Sequence, residues 1–407
     1  MYFFSYFKNF NNISLVLIFS VIFSFFEFIR GSILTGFPWN LFVFSFSQNL
    51  AFIQILSLIG TYSFNLICLS FFLIPAVFIL RKSKYDIFFC IIFIFLILGF
   101  ILFGEKRLNS ENDELNKDKK YLIKVISSKV DINRFYSTDS EYEIINDLID
   151  LSKPDKSVPT IFIWPEGMLT STNLKDIHYY KDLFQLNFSN KHIIILGIND
   201  VEKNNNLKIY NSLVVVDNNL NVLNYYHKNN LVPFGEFLPM ENFLKKIGLK
   251  TITNNYQSFS KGKERKIISI KNKNFDLSFL PLICYEIIYS GNLKKTNNFD
   301  IIINISEDGW FGNSIGPHQH FAHSIFRAVE EGRNIIRSTN NGISAFVGPK
   351  GNIIRKTEST QSGVLEIRNL KNNKETFFSK NGNNIFFYFL LFYITLIFFL
   401  KINREIK

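Results

Sequence analysis

Residues 275–293, FDLSFLPLICYEIIYSGNL, read as a strand that runs into a helix-like turn, with Cys284 at the junction. A nucleophile at such a junction has an exposed side chain, and the next backbone N–H points toward the reaction centre. Two other segments end an apolar strand on a charged residue. In TIFIWPEG (160–167) Pro165 stops the strand and presents Glu166, and in VLNYYHKNNLVPFGEFLP (222–239) Lys228 lies just past a strand, with Glu236 in a Pro/Gly-framed loop. A thiolate nucleophile needs a base to take its proton and a cation to favour the charged form and the later oxyanion. Glu166, Lys228 and Cys284 supply those parts.

Outward from these junctions, strand-like runs alternate with helical patterns: YLIKVIS (121–127), a helix opened by Thr138 that runs through IINDLIDL, HIIILGI (192–198), NSLVVVD (211–217) and DIIINIS (300–306). Strands of five to seven residues spaced by helices predict an α/β layered domain. NSLVVVD followed at once by NNLNVLNYY predicts a hairpin on an Asn-Asn turn, so the sheet is expected to be mixed.

The ends of the chain have another composition. The chain has 407 residues, is 47% hydrophobic and carries a formal +11. Residues 1–104 hold only five basic side chains (Lys8, Arg30, Arg81, Lys82, Lys84) and two acids (Glu27, Asp86). So few charges mark a membrane segment, because a charge at mid-bilayer costs about 2.5–3.5 kcal/mol even on insertion scales. Three stretches suit a bilayer about 30 Å thick: Ile13 to Ile29, a segment within Ala51 to Leu80 broken near Pro75, and Ile87 to Phe103. Ile385 to Leu400 is a fourth. The first is a span and not a signal peptide, since no small-residue cleavage site follows and more spans do. Arg81, Lys82 and Lys84 lie between the second and third spans and place that loop in the cytoplasm. Lys8 and the tail with Lys401, Arg404 and Lys407 then lie inside, and residues 30–50 and 105–383 outside. Residues 31–49 are aromatic and broken by Gly and Pro, which fits an interfacial or re-entrant loop, or a plain loop anchored at the interface by Trp39. The resulting division is a helical membrane part (1–104), a linker (105–120), an external domain (121–383) and a last span with its tail (384–407).

Residues 105–383 keep 37 basic and 31 acidic residues, so the +11 is dispersed and does not mark a nucleic-acid partner. Cys68 and Cys90 fall in predicted spans, which leaves Cys284 alone in the external domain with no disulfide partner. His318, His320 and His323 sit in a helical pattern with no carboxylate pair, so no metal site is expected. Walker, GxGxxG, HExxH and GxSxG signatures are absent, and no cofactor is expected.

The order WPEG, HKNNLVPFGEFLP, CYE, NISEDGWFG and RSTNNGISAFVGPKG closely resembles the nitrilase or carbon–nitrogen hydrolase superfamily. With FIRGSILTGFPW (28–39) it resembles one branch, the bacterial apolipoprotein N-acyltransferases, over about residues 20–367. The resemblance implies a nitrilase-like αββα sandwich attached to an α-helical transmembrane domain. It implies a triad of Glu166 as general base, Lys228 as oxyanion-stabilising cation and Cys284 as nucleophile. Glu236 and Glu286 match further acidic positions, Glu236 to orient Lys228, and the Tyr285 N–H is expected to complete the oxyanion hole. Trp310 and Phe311 are candidates for the acyl pocket. Phe135, in NRFYS, stands where the family often sets a Trp on an arm over the site. Family members also generally carry more spans ahead of the one that opens here at Ile13.

The implied activity moves an acyl chain from a phospholipid, with phosphatidylethanolamine the expected donor, through a cysteine thioester to the N-terminal amine of diacylglyceryl-cysteine in a lipoprotein. The implied setting is the bacterial inner membrane with the catalytic domain on the periplasmic side, acting as a monomer. The alternative is a membrane-anchored amidase of the nitrilase type that hydrolyses a carbon–nitrogen bond, and the membrane motif argues against it. A transport role is disfavoured because no charged residue lies deep in the spans.

Overall fold

The computed structural model describes residues 10–110, 114–115, 120–136, 141–203, 207–239, 258–291, 293, 299–372 and 374–405. Lys8, Thr138, Lys407 and much of the expected linker lie outside the described residues.

The membrane part opens with α1 (Asn12–Ser32), capped by the Asn11 side chain on the Ser14 N–H. A single turn, α2 (Leu50–Ile53), leads into α3 (Leu56–Phe72) and α4 (Ile74–Ile79). The break between α3 and α4 falls at Leu73 with Pro75 in the first turn of α4, where its missing N–H does no harm. The long α5 (Lys84–Asn109) starts at a capping box of Ser83 and Asp86. It continues five residues past position 104, because Glu105, Lys106 and Arg107 are good helix formers and nothing stops them. By length and composition, Asn12–Ser32, Leu56–Ile79 and Lys84–Asn109 can each cross a membrane. The Asn12 side chain donates to the Leu80 carbonyl at 2.7 Å, so the start of α1 and the Arg81–Lys84 loop share one side.

The strands are β1 (Glu114–Leu115), β2 (Leu122–Ser127), β3 (Thr160–Ile163), β4 (Leu169–Asn173), β5 (His192–Lys203), β6 (Leu207–Val216), β7 (Val222–His227), β8 (Ile268–Lys271), β9 (Asp276–Ile283), β10 (Ile301–Glu307), β11 (Asn334–Asn340), β12 (Ala345–Val347), β13 (Ile353–Lys356), β14 (Gly363–Ile367) and β15 (Lys371–Asn372). They form two mixed sheets, ordered β14-β2-β3-β5-β6-β7 with β4 beside β5, and β13-β12-β11-β10-β9-β8; β1 pairs with β15 separately. The strands β2, β3 and β5 are parallel, as are β9, β10 and β11. Their Ile-rich runs are buried on both faces, as parallel strands must be. The hairpin of β6 and β7 forms as expected, with Leu220 in the left-handed region beside the Asn-Asn turn.

Ile123, Ile161, Ile195, Val215, Phe279, Ile303 and Ile336 belong to the core where the two sheets face each other. The outer face of the first sheet is covered by α6 (Glu141–Ser152) and α7 (Lys181–Asn187) through Ile145, Leu148, Trp164 and Phe184. The outer face of the second is covered by α8 (Gly316–Glu331), and its apolar cluster runs on without interruption into the membrane helices: Leu282, Ile302, Phe326 and Val329 join Leu17, Phe64 and Phe386. The αββα sandwich is present, with its second helical layer continuous with the membrane part. Short α9 (Phe377–Asn381) and then α10 (Asn384–Glu405) return the chain to those helices.

Candidate active site

Each candidate triad residue sits at the end of a strand in the sandwich. After β3, Trp164 and Pro165 lead into a turn at Glu166, with Gly167 at φ 64°. Lys228 is the first residue after β7 and Cys284 the first after β9, where it opens a 3₁₀ turn, Cys284–Ile288. Cys284 has φ 50°, a left-handed conformation that L residues other than Gly adopt at a cost.

Lys228 is buried between two carboxylates, with Nζ 2.8 Å from Glu236 Oε1 and 3.4 Å from Glu166 Oε1. The Asn211 side chain lies between the same oxygens, donating to Glu166 at 2.7 Å and to Glu236 at 3.0 Å. The second oxygens are held by backbone: Glu307 N–H donates to Glu166 Oε2 at 2.9 Å and Val232 N–H to Glu236 Oε2 at 2.8 Å. Two carboxylates and one ammonium leave this cluster with a net negative charge. Burial works against the Lys228 charge, but Glu166 and Glu236 hold its pKa well above the usual lysine value. The Cys284 thiol is pushed far up, first by burial and then by Glu166, while Lys228 pulls it down. Burial and Glu166 thus both favour the protonated thiol over the thiolate at Cys284.

Glu286 lies behind these groups with no exposure. Its Oε1 accepts from the Tyr226 hydroxyl at 2.7 Å, from the N–H groups of Asn229 and Asn230 at 2.9 and 3.0 Å, and from Arg265 at 3.2 Å. Its Oε2 accepts from the Ile283 N–H at 2.9 Å. One carboxylate thus ties the residue before Cys284 to the loop after Lys228. A second network lies toward β10. Asn304 Nδ2 reaches the backbone on both sides of Ile283, 3.2 Å from the Leu282 carbonyl and 3.3 Å from that of Cys284. Arg337 donates to Asn304 Oδ1 and pairs with Asp308 at 2.8 Å, and His320 and Ser306 also meet Asp308. Burial opposes ionisation of Asp308, but Arg337 and His320 hold its pKa below the usual carboxylate range. His320 is thus taken up by a structural carboxylate, and among the described residues no three metal-binding side chains gather.

The arm that carries Phe135 is clamped by Arg134, which pairs with buried Glu307 and donates to the Gly167 carbonyl at 3.0 Å. Phe135 then lies 5.0 Å from Trp310, ring to ring. Both rings line a cavity of about 110 Å³ with Leu169, Ile198, Phe259 and Glu166. Phe311 points elsewhere, 5.3 Å from Trp39, and does not line this cavity. Half-buried Trp39 donates from Nε1 to Gln319 on α8 at 2.9 Å. The loop before it is fastened to the turn that Cys284 opens, since Tyr285 donates to the Gly36 carbonyl and Tyr289, just after the turn, to that of Thr35 at 2.6 Å. A wider groove of about 710 Å³ opens beside this junction, between Leu34, Asn230, Tyr289 and Phe387.

Asn211, Asn304, Asp308 and Arg337 escaped the sequence reading of the site. The last three stand inside quoted motifs, so the motifs carried their signal without a role. Asn211, at the head of a plain apolar strand, had none.

The carbon–nitrogen hydrolase family matches residues 161–368 and takes in all three strand ends, so the catalytic part is of that class. The N-terminal domain of apolipoprotein N-acyltransferases matches residues 1–74. Among curated relatives, the apolipoprotein N-acyltransferase of Rickettsia prowazekii (strain Madrid E) is 34% identical over 94% of this chain and 77% of its own length. That of Rickettsia typhi (strain ATCC VR-144 / Wilmington) is 34% identical over 92% and 74%. A mutant of Nesterenkonia AN1 amidase from the nitrilase superfamily aligns with TM-score 0.44 and 11% identity over 63% of this chain and 93% of its own. The chain belongs to the apolipoprotein N-acyltransferase family.

Proposed function

We propose that this chain transfers an acyl group from a phospholipid, phosphatidylethanolamine as the expected donor, to the α-amine of diacylglyceryl-cysteine at the N-terminus of a lipoprotein. The observation that carries the reading is the buried Glu166–Lys228–Glu236 cluster, whose charges act on a thiol at a strand end, in a domain whose core is continuous with apolar membrane helices.

The Cys284 sulfur attacks the ester carbonyl and its proton passes to Glu166. Lys228, together with the Tyr285 N–H, stabilises the oxyanion. The C–O bond breaks, the departing lysophospholipid alkoxide takes the proton back from Glu166, and a thioester remains. The acceptor amine then attacks the thioester and gives a proton to Glu166. The C–S bond breaks, and the thiolate recovers that proton as the amide is released. Glu236 and Asn211 keep Lys228 beside Glu166 through both steps, and Glu286 holds the two loops together. Phe135 and Trp310 border the acyl path. A site joined to membrane helices spares both lipid substrates an extraction that costs about 0.8 kcal/mol per CH₂.

The chain divides into a membrane part (1–104 and 384–407) and a catalytic part (121–383) that acts as a monomer at the periplasmic side of the inner membrane. The docking of residues 35–39 on the catalytic domain supports this side, with the Arg81–Lys84 loop at the other end of the helices. The test is to incubate the purified chain with an alkyne-tagged phospholipid and look for a hydroxylamine-labile adduct. The adduct should form on Cys284, vanish in Cys284→Ala, and discharge into a triacylated product when a diacylated lipopeptide is added. Release of free fatty acid alone would favour the amidase-type alternative.

A further inference from the structure

Helix α3 does not run straight. At Gly60 the backbone swings to φ 72°, ψ 175°, and the Phe378 ring from α9 fills the space where a Cβ would stand. The helix that resumes after the break has a new N-terminal end with unpaired N–H groups. That end meets a carboxylate from a distant part of the chain. Glu330, on α8 of the catalytic domain, accepts from the Thr61 N–H at 2.7 Å and from the Thr61 hydroxyl at 2.6 Å. It therefore caps a membrane helix from outside, an anion at the positive end of the helix dipole.

The same Glu330 oxygen accepts from the Ser290 hydroxyl at 2.7 Å. Arg327, one turn earlier on α8, approaches the other oxygen at 2.7 Å, off the line of a hydrogen bond, so that contact is electrostatic. Its guanidinium also donates to Thr61 Oγ1 at 2.6 Å and to the Ile288 carbonyl at 3.0 Å. Thr61, Arg327 and Glu330 are all buried. Ile288 ends the turn that Cys284 opens, and Ser290 stands two residues beyond. Glu286 and Asn304 hold the front of that turn, and its rear is held by an ion pair whose third member belongs to a membrane helix. A buried network with its partners supplied favours one geometry over neighbouring ones.

We propose that Thr61 is a positioning residue for the acyl transfer: through Glu330 and Arg327, the broken membrane helix sets the place of the nucleophile turn. The membrane part thereby enters the chemistry as well as anchoring it. The inference rests on the reading of Cys284 as the acylated group.

The test measures the rate of Cys284 adduct formation against the concentration of alkyne-tagged phosphatidylethanolamine in mixed micelles, using the full-length chain. Thr61→Val keeps the shape and the N–H and removes the hydroxyl, and Thr61→Ser restores it. The expected result for Thr61→Val is a maximal rate about tenfold lower at a half-saturating donor concentration within about twofold of wild type, the signature of a misplaced reacting group. Thr61→Ser should stay within about twofold of wild type, and Thr61→Val should add nothing to the loss in Glu330→Gln. A wild-type rate in Thr61→Val overturns the proposal, as does a loss confined to the half-saturating concentration. Equal losses in Thr61→Val and Thr61→Ser, or additive losses in the double variant, overturn it too. A wild-type chain that forms no adduct sinks the acyl-enzyme reading itself, and this inference with it.

Discussion

Replacing Glu166 by Gln separates two effects that the structure ties to one carboxylate. Glu166 raises the Cys284 thiol pKa, second only to burial, while Lys228 lowers it. With Glu166 neutral, the cluster around Lys228 goes from a net negative charge to zero, and forming a thiolate beside it becomes easier. Each pKa unit gained is tenfold in thiolate fraction, about 1.4 kcal/mol. Alkylation of Cys284 by iodoacetamide at pH 8 should therefore speed up, by about twofold if the like-charge effect is half a unit, once the lower nucleophilicity of a less basic thiolate is counted. The acyl-transfer rate should move the other way. An amide cannot take the thiol proton, and loss of a positioned base costs about 10²- to 10⁴-fold. Parallel measurement of alkylation and phospholipid-dependent acylation gives both numbers on one sample. Faster alkylation with acylation at least about a hundredfold slower is the expected pair. Unchanged or slower alkylation would refute the electrostatic argument, and an acylation loss below about tenfold would refute Glu166 as the base.

Three further outcomes follow from particular contacts. Asp308→Asn should flatten the acid limb of stability. Because the folded Asp308 pKa is depressed, its contribution is present above the unfolded value near pH 4 and is lost as pH falls, about 1.4 kcal/mol per pH unit; the wild-type-minus-variant difference in urea unfolding between pH 5 and pH 2 should shrink accordingly, and a constant difference would contradict it. Gly60→Ala should lower the thermal midpoint markedly, since φ 72°, ψ 175° lies in a region essentially reserved for Gly and costs an L residue about 1–3 kcal/mol before the new methyl meets Phe378; an unchanged midpoint would show that the break can relax. Phe135→Ala should raise the half-saturating donor concentration severalfold with little change in maximal rate, because the ring borders the cavity and supplies no group that takes or gives a proton; an equal fall in maximal rate would give it a different role.

The apolar strands, their ends at Glu166, Lys228 and Cys284, and the membrane stretches were all legible in the sequence. They are local: a strand shows in five to seven residues, a span in about twenty, and a Pro or a charge after an apolar run marks the stop. Pro75 likewise located the break between α3 and α4. Local pattern misled where packing decides. Phe311 and Trp310 are neighbours in one motif, yet the chain turns between them, and one lines the cavity with Phe135 while the other faces Trp39. Trp39, in an aromatic loop beside a span, also donates to Gln319 on α8, a contact that no local pattern announces.

The sequence by itself determined the layered α/β class, the membrane attachment and the three residues proposed for the chemistry, since each is written in a short window of residue types. Tertiary structure alone decided what holds those residues in place. Asn211 bridges two carboxylates 45 and 25 positions away, and Glu330 caps a membrane helix at Thr61 across 269 positions. A polar side chain that serves a buried charge looks, in the sequence, like any other Asn, Thr or Glu. Its role comes from the low-dielectric surroundings that folding builds, where each charge must find a partner.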